Sequence, residues 1–145
     1  MHKTGRFKFG KLTEYPHLAP HDREIWERFI EANPDAYDSV DYDIRFGTGG
    51  FSEDEIANNV YVENIATLSK FRIDVVGFKK DGSMDCIEVR PRAGLSAFGS
   101  ALGCCHFLEQ ETNDQKCTPT ILTDKAQSDL EQLAGSYEVK LIEID

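Results

Sequence analysis

The sequence lacks three features that would assign it to a common class. It has no apolar run close to the roughly 18–20 residues that span a bilayer. Its N-terminus carries basic residues but no apolar block behind them, which argues against a signal peptide. Its four cysteines include no C-x-x-C pair. These absences favour a protein of the reducing cytoplasm that has no disulfide framework, zinc site or membrane partner.

Excess basic charge is also missing, since the formal net charge is −10 and the pI is about 4.8. A protein that binds nucleic acid over most of its surface usually has a positive net charge. The basic residues are concentrated in residues 1–11 and around the centre of the chain, whereas residues 31–63 are strongly acidic. We interpret the acidic stretch as a solvated face, with repulsion or mimicry of DNA as alternatives.

A length of 145 residues predicts one domain. Residues 1–19 are predicted to be a basic N-terminal arm, in which Phe7 and Phe9 alternate with polar residues and glycine. This pattern fits a solvated tail, and it equally fits an arm that docks on a protein partner, a second copy of the chain or a phosphate backbone. Residues 20–145 are predicted to form the single α/β domain.

Hydrophobic periodicity and turn signals divide this domain into elements. They predict helices over 21–33, 60–70, 95–108 and 125–134, and strands over 38–46, 72–78, 84–90, 118–123 and 137–144, with loops at 47–50 and 52–59. Hairpin strands run antiparallel, and a strand that follows a crossover helix runs parallel. The fold class is therefore an α/β sandwich in which helices flank a mixed sheet.

Three of these elements have a predicted buried face. In the first helix, Trp26 belongs to an apolar stripe and is predicted to anchor the core. In the first strand, one face is formed by Val40, Tyr42, Ile44 and Phe46. In the helix over 95–108, the predicted stripe is Leu95, Phe98, Leu102 and Cys105. The run Cys104-Cys105-His106 in that helix resembles a metal site, but buried thiols that pack as small hydrophobes are the favoured interpretation.

The strongest functional signal lies in residues 72–107, where two strands flank a turn. Glu88 and Arg90 are two residues apart on the second strand and therefore share one face. A two-residue turn would place Asp74 of the first strand opposite Val89, on the other face. A three-residue turn over 80–82 would place Asp74 opposite Glu88. We predict the three-residue turn, because Gly82 then takes its left-handed third position.

Opposed carboxylates repel each other unless a positive group lies between them. Oxygen-rich sites of this kind suit Mg²⁺, which can supply a hydroxide and stabilise charge on a phosphodiester. Asp74 and Glu88 are therefore predicted metal ligands, and Arg90 would orient a phosphate. The alternative is a surface ladder in which the two acids pair with Arg72, Arg90 or Arg92.

The element order α-β-β-β-α-β and the pattern D…(13 residues)…E-x-R resemble the PD-(D/E)xK nuclease superfamily over about residues 20–123. A further helix and strand follow this core. The resemblance implies that Asp74 and Glu88 bind Mg²⁺ and that Arg90 occupies the position of the catalytic lysine. Glu24 matches an acid that some resolvase-like members carry on the first helix. The chain also resembles small proteins encoded by tailed phages.

The arginine departs from the family pattern, because a guanidinium stays protonated and cannot act as a general base. Together with the −10 charge and the basic arm, it favours a phage-encoded protein of nuclease fold with weakened or lost catalysis. Such a protein would bind a partner or assemble into a virion, in the host cytoplasm or the particle. The alternatives are a Mg²⁺-dependent DNA endonuclease or resolvase, and an acidic DNA mimic that inhibits another enzyme.

Overall fold

The computed structural model describes residues 3–47, 49–50, 52–61, 63 and 71–145. These residues form six strands and four helices, in the order β1 (Phe7–Lys8), α1 (Pro20–Ala32), β2 (Ser39–Phe46), α2 (Glu53–Asn58), β3 (Phe71–Phe78), β4 (Met84–Val89), α3 (Leu95–Glu111), β5 (Cys117–Thr123), α4 (Ser128–Ser136) and β6 (Lys140–Glu143). The strands lie side by side in chain order. Neighbours from β1 to β4 are antiparallel, and β4, β5 and β6 are parallel. The predicted mixed sheet is confirmed.

Helix α1 covers one face of the sheet. Its apolar stripe is buried against side chains from β2, β3, β4 and β5. Trp26 is 0% exposed, and its Nε1–H donates a hydrogen bond of 3.0 Å to the hydroxyl of Tyr42. The prediction that Trp26 anchors the core is confirmed. Among the described residues, no helix has both the length and the apolar character needed to cross a bilayer.

Helix α3 covers the other face, but not with the predicted stripe. Leu95 is 71% exposed and Leu102 is 39% exposed. The buried face consists of smaller side chains and one leucine: Ala97, Ala101, Cys104, Cys105 and Leu108. Small side chains let a helix axis lie close to a sheet. The face of α3 that carries them is therefore buried, and the face with the larger Leu95 and Leu102 points outward. The predicted stripe was wrong in this respect.

Strand β2 does not keep a single buried face. Val40 and Tyr42 pack in the cluster beneath α1, whereas Phe46 packs in the cluster beneath α3. The change follows Asp43, whose φ of +53° is uncommon for a residue with a side chain. The predicted unbroken alternation was therefore wrong. After a residue in the left-handed conformation, the following side chains of the strand point to the opposite face of the sheet.

The loop predicted over 52–59 contains the short helix α2. A capping box begins it, since Ser52 accepts from the backbone N–H of Glu55 and the Glu55 side chain accepts from the backbone N–H of Ser52. The S-x-x-E spacing is the sequence signature that marks such a start. The helix predicted over 60–70 falls mainly outside the described residues.

The N-terminal arm adds an edge strand to the sheet. Phe7 pairs with Val40 in the β1–β2 register. Phe9 is only 8% exposed and makes edge-on contacts with Trp26 and Phe29. The interpretation as a solvated tail was wrong for this part of the arm, because its aromatic side chains complete the core of the same chain.

A disulfide joins Cys105 of α3 to Cys117 at the start of β5. The sequence pattern indicated no disulfide, and that expectation was wrong. The two residues are 12 positions apart, and the return of the chain from α3 into the sheet brings their Cα atoms to 5.7 Å. Spacing in the sequence could not show this proximity, because it depends on how the helix docks.

Candidate active site

The β3–β4 hairpin brings Asp74 and Glu88 together. The paired register ends at Val75 and Ile87, and the carboxyl groups of the next residues outward, Asp74 and Glu88, are close enough to interact. The turn holds this register: the backbone N–H of Lys79 donates to the Ser83 carbonyl at 2.9 Å, and Gly82 has a φ of +89°. The predicted three-residue turn is confirmed, and with it the shared face of the two acids.

Asp74 is held by the backbone of the neighbouring strand. Its Oδ2 accepts a hydrogen bond of 2.9 Å from the N–H of Val89. Burial raises the pKa of Asp74, and the charge of Asp22 raises it further, whereas the Val89 N–H opposes the shift. The carboxyl is thus fixed in position in an environment that disfavours its negative charge.

Glu88 is more deeply buried, with only 5% of its surface exposed. Its Oε1 accepts from Nη2 of Arg90, while its Oε2 is buried and receives no hydrogen bond from an N–H or hydroxyl donor among the described residues. A hydrogen bond between the carboxyl groups of Glu88 and Asp74 requires a proton on one of them. Burial, and then the charge of Asp74, raise the pKa of Glu88 to about 7. Two carboxyl groups with one unpaired buried oxygen form a site that a proton or a cation would stabilise.

Arg90 links the acid pair to the start of α3. Besides its contact with Glu88, its Nη1 donates a hydrogen bond of 2.8 Å to the hydroxyl of Ser96. The guanidinium is half-buried and is held on two sides, so it presents a fixed positive charge at the edge of the site. A guanidinium can orient a phosphate or a carboxylate, but it does not take up a proton.

On the first helix, Asp22 lies nearer to the acid pair than the exposed Glu24, since its charge raises the pKa of Asp74. Asp22 is partly buried, and burial raises its pKa while the nearby charge of Arg90 lowers it. Glu24 is exposed. Sequence reasoning missed Asp22, although a signal was present: Asp22 precedes Ile25 and Trp26 by three and four residues, so it lies on the buried stripe of α1.

Helix α3 places the thiol of Cys104 close to the two acids. Burial raises the pKa of this thiol to about 12, and the charges of Glu88 and Asp74 add to the shift. The thiol is therefore neutral at physiological pH and serves as an apolar wall. Such a wall explains part of the burial that raises the pKa values of both acids.

Of the three arginines that could pair with Asp74 and Glu88 in the alternative surface ladder, two have other acidic partners. Arg72 directs its Nε to Asp43 at 3.2 Å, and the backbone N–H of Arg92 donates to Asp124 at 2.9 Å. Among the described residues, Arg90 makes an ion pair with one of the two acids, Glu88. The acid pair is therefore a partly buried cluster with one arginine, and Asp43 forms a separate ion pair beside it.

No protein-family model matches the chain, and no curated protein sequence matches it. Two solved structures match its fold. One is EndoMS in a complex with double-stranded DNA, with 17% identity and a TM-score of 0.51, covering 93% of this chain and 49% of that one. The other is a repair endonuclease from Pyrococcus abyssi, with 13% identity and a TM-score of 0.51, covering 92% and 50%.

The chain spans about half the length of each of these two proteins. At such low identity the likeness concerns the fold alone, a mixed α/β fold that the chain shares with about half of each of these two proteins. It agrees with the nuclease-like architecture expected from the element order.

Proposed function

We propose that this chain is a metal-dependent DNA endonuclease of the PD-(D/E)xK type. The observation that carries the proposal is the buried Oε2 of Glu88, which has no donor among the described residues and lies beside the carboxyl of Asp74. The structural likeness to DNA repair endonucleases supports the same reading of the fold.

The residues present fit a hard divalent cation. Both donors are carboxylates, Asp74 is fixed by the Val89 N–H, and Glu88 retains an unpaired oxygen. Mg²⁺ accepts one or two such carboxylates and keeps several waters. When bound, it would supply an activated water and stabilise charge on the phosphodiester.

The remaining groups would position the substrate. Arg90 carries the positive charge next to the acid pair and would bind a phosphate oxygen of the DNA backbone. Asp22 is close enough to influence the pKa of Asp74, so it would take the place that we assigned to Glu24 at the edge of the site. A net charge of −10 opposes broad electrostatic binding, so we expect affinity that depends strongly on the divalent cation.

A second candidate is a protein of the same fold that binds without cleaving. Arg90 favours it, because the position that resembles the catalytic lysine holds a group that cannot act as a base. Assembly into a phage particle, and inhibition by mimicry of DNA, stay predictions about this second candidate. Docking through the N-terminal arm would have to use surfaces other than Phe9, which is buried within the chain.

The experiment compares four proteins on supercoiled and branched DNA in Mg²⁺ and in Mn²⁺: wild type, Glu88→Gln, Arg90→Lys and Arg90→Ala. The proposal expects nicking by wild type that Glu88→Gln abolishes and Arg90→Ala reduces. Cleavage by Arg90→Lys alone would identify the arginine as the cause of a lost activity and would favour the second candidate. No cleavage by any folded variant, or cleavage unaffected by Glu88→Gln, would overturn the proposal.

A further inference from the structure

Three of the four cysteines meet in the core, on the face of the sheet beneath α3. They are Cys86 of β4, Cys105 of α3 and Cys117 of β5, and all three are buried. Their sulfur atoms lie within 4.8 Å of one another. Cys105 and Cys117 form the disulfide, and Cys86 is a free thiol beside it.

We propose that, when the disulfide is reduced, Cys86, Cys105 and Cys117 form a binding site for a thiophilic metal ion such as Zn²⁺. The site is separate from the acid pair, so the inference holds whether or not the chain cleaves DNA. The oxidised and metal-bound forms exclude each other, because the disulfide occupies two of the three sulfurs.

The spacing of the sulfurs fits this kind of ion. Zinc–sulfur bonds of about 2.3 Å in a tetrahedron place the sulfurs roughly 3.8 Å apart. The third sulfur, that of Cys86, is already within 4.8 Å of the other two. Opening the disulfide and separating Cys105 from Cys117 by a small movement would therefore complete three corners of the tetrahedron.

The carboxylate of Glu109 lies outside the group of three sulfurs that are within 4.8 Å of one another, and it would have to move toward them to become a fourth ligand. Glu109 is one helical turn beyond Cys105 on α3, so the two side chains project on the same side of the helix. Oε1 of Glu109 accepts a hydrogen bond of 3.0 Å from the backbone N–H of Cys117. Carboxylate oxygens are ordinary zinc ligands, and this one is held by the backbone of a residue whose sulfur is a predicted ligand.

Metal binding first requires reduction of the Cys105–Cys117 disulfide by an external dithiol. A dithiol reductant supplies two electrons and two protons to the disulfide and is itself oxidised to a disulfide, which leaves thiols at Cys105 and Cys117. Binding of Zn²⁺ then displaces the protons of the three thiols into solvent. With water as the fourth ligand, the ion offsets two of the three thiolate charges, and this lowers the cost of burying them.

The ion would also act on the fold. It would join β4, β5 and α3, and the same helix carries Cys104 against Glu88 and Asp74. Binding should therefore stabilise the docking of the helix that covers the acid pair, by the usual linkage between ligand binding and folding.

The test uses Co²⁺ as a spectroscopic substitute for Zn²⁺ on the full chain. Fully reduced protein should bind a single equivalent with a thiolate-to-metal charge-transfer band, and Zn²⁺ should displace it. Cys86→Ala and Cys117→Ser should weaken binding by more than about 100-fold, because each removes a direct ligand. Cys104→Ala is the matched control, since Cys104 is also buried and free but lies outside the cluster, and it should bind normally.

Circular dichroism of each variant shows that it is folded before the titration. Absence of the band in reduced, folded wild type would overturn the proposal. So would an equal band in the oxidised protein, or equal loss in Cys104→Ala and Cys86→Ala. Carboxylate binding of Co²⁺ at Asp74 and Glu88 gives no thiolate band, so it cannot be mistaken for the proposed site.

Discussion

The backbone N–H of Val89 donates a hydrogen bond of 2.9 Å to Oδ2 of Asp74, so strand β4 itself holds this carboxyl beside Glu88. One strand thus provides both an acid and the group that positions the opposing acid. The separation of the pair is built into the sheet rather than left to flexible side chains.

Asp74→Asn should separate the functional from the structural role of this carboxyl. The amide oxygen can still accept from Val89, so the fold should be kept and stability should be equal or higher, because a like-charge repulsion disappears. Cleavage should fall by more than about 100-fold, because a metal ligand is lost. Asp38→Asn, an exposed acid elsewhere, is the control. Equal nicking rates in the two variants would contradict this assignment.

The raised pKa of Glu88 predicts how stability changes with pH. The folded value of about 7 lies above the ordinary 4.5, so the folded state binds this proton more tightly. The contribution to the free energy of unfolding is therefore fully present below pH 4.5 and is lost as the pH rises through about 7. The charged groups that influence Glu88 directly are Asp74 and Arg90.

Urea denaturation of wild type and Glu88→Gln across this range measures the effect. The difference between the two should change with pH, since the amide does not titrate, and Mg²⁺ should stabilise wild type more at pH 8 than at pH 5.5 because it competes with the proton. A difference that stays constant with pH would show that Glu88 titrates normally.

Asp22 and Glu24 form a matched pair on the first helix. Asp22→Asn should lower the pKa of Asp74, because the Asp22 charge raises it, and should change cleavage by roughly tenfold or more if Asp22 supports the metal site. Glu24→Gln should leave both unchanged, since Glu24 is exposed. Carboxyl NMR titration and nicking rates check both. The reverse ranking would restore Glu24 as the helix acid.

Tyr37 donates a hydrogen bond to the buried carboxylate of Asp85 on β4. Its hydroxyl donates a hydrogen bond of 2.6 Å to Oδ2 of Asp85, which is 1% exposed. Tyr37→Phe should lower the free energy of unfolding by about 1–3 kcal/mol, because it removes a donor from a buried charged group. Lys79 and Lys140 lie 3.6 and 3.4 Å from the same carboxylate and limit the loss. Tyr137→Phe, in a ring 59% exposed, should cost little in urea denaturation. Equal losses would contradict the role of the hydrogen bond.

Phe9 tests whether the arm belongs to the folded core. Phe9→Ala should destabilise the protein by about 3–5 kcal/mol, as expected for a buried phenylalanine. Phe71→Ala is the matched control, because Phe71 is 61% exposed. Thermal denaturation measures both. A Phe9 variant as stable as wild type would show that the arm is dispensable.

Much of the fold was predictable because its signals are local. The Lys80-Asp81-Gly82 turn and the alternation on either side predicted the hairpin and its register. Helix α1 followed from its stripe and from the proline residues at its two ends. Prediction failed where local patterns compete with packing: the larger side chains of α3 point outward, and Asp43 breaks the alternation of β2.

The sequence by itself determined that Asp74 faces Glu88, because turn length and the two-residue period of strands set the register. Only the tertiary structure decided that Glu88 keeps a buried oxygen without a donor among the described residues, that the charge of Asp22 reaches Asp74, and that three cysteines meet in the core. These features arise between elements distant in the chain. They depend on how α1 and α3 dock on the two faces of the sheet, which excludes water from some polar groups and leaves others exposed.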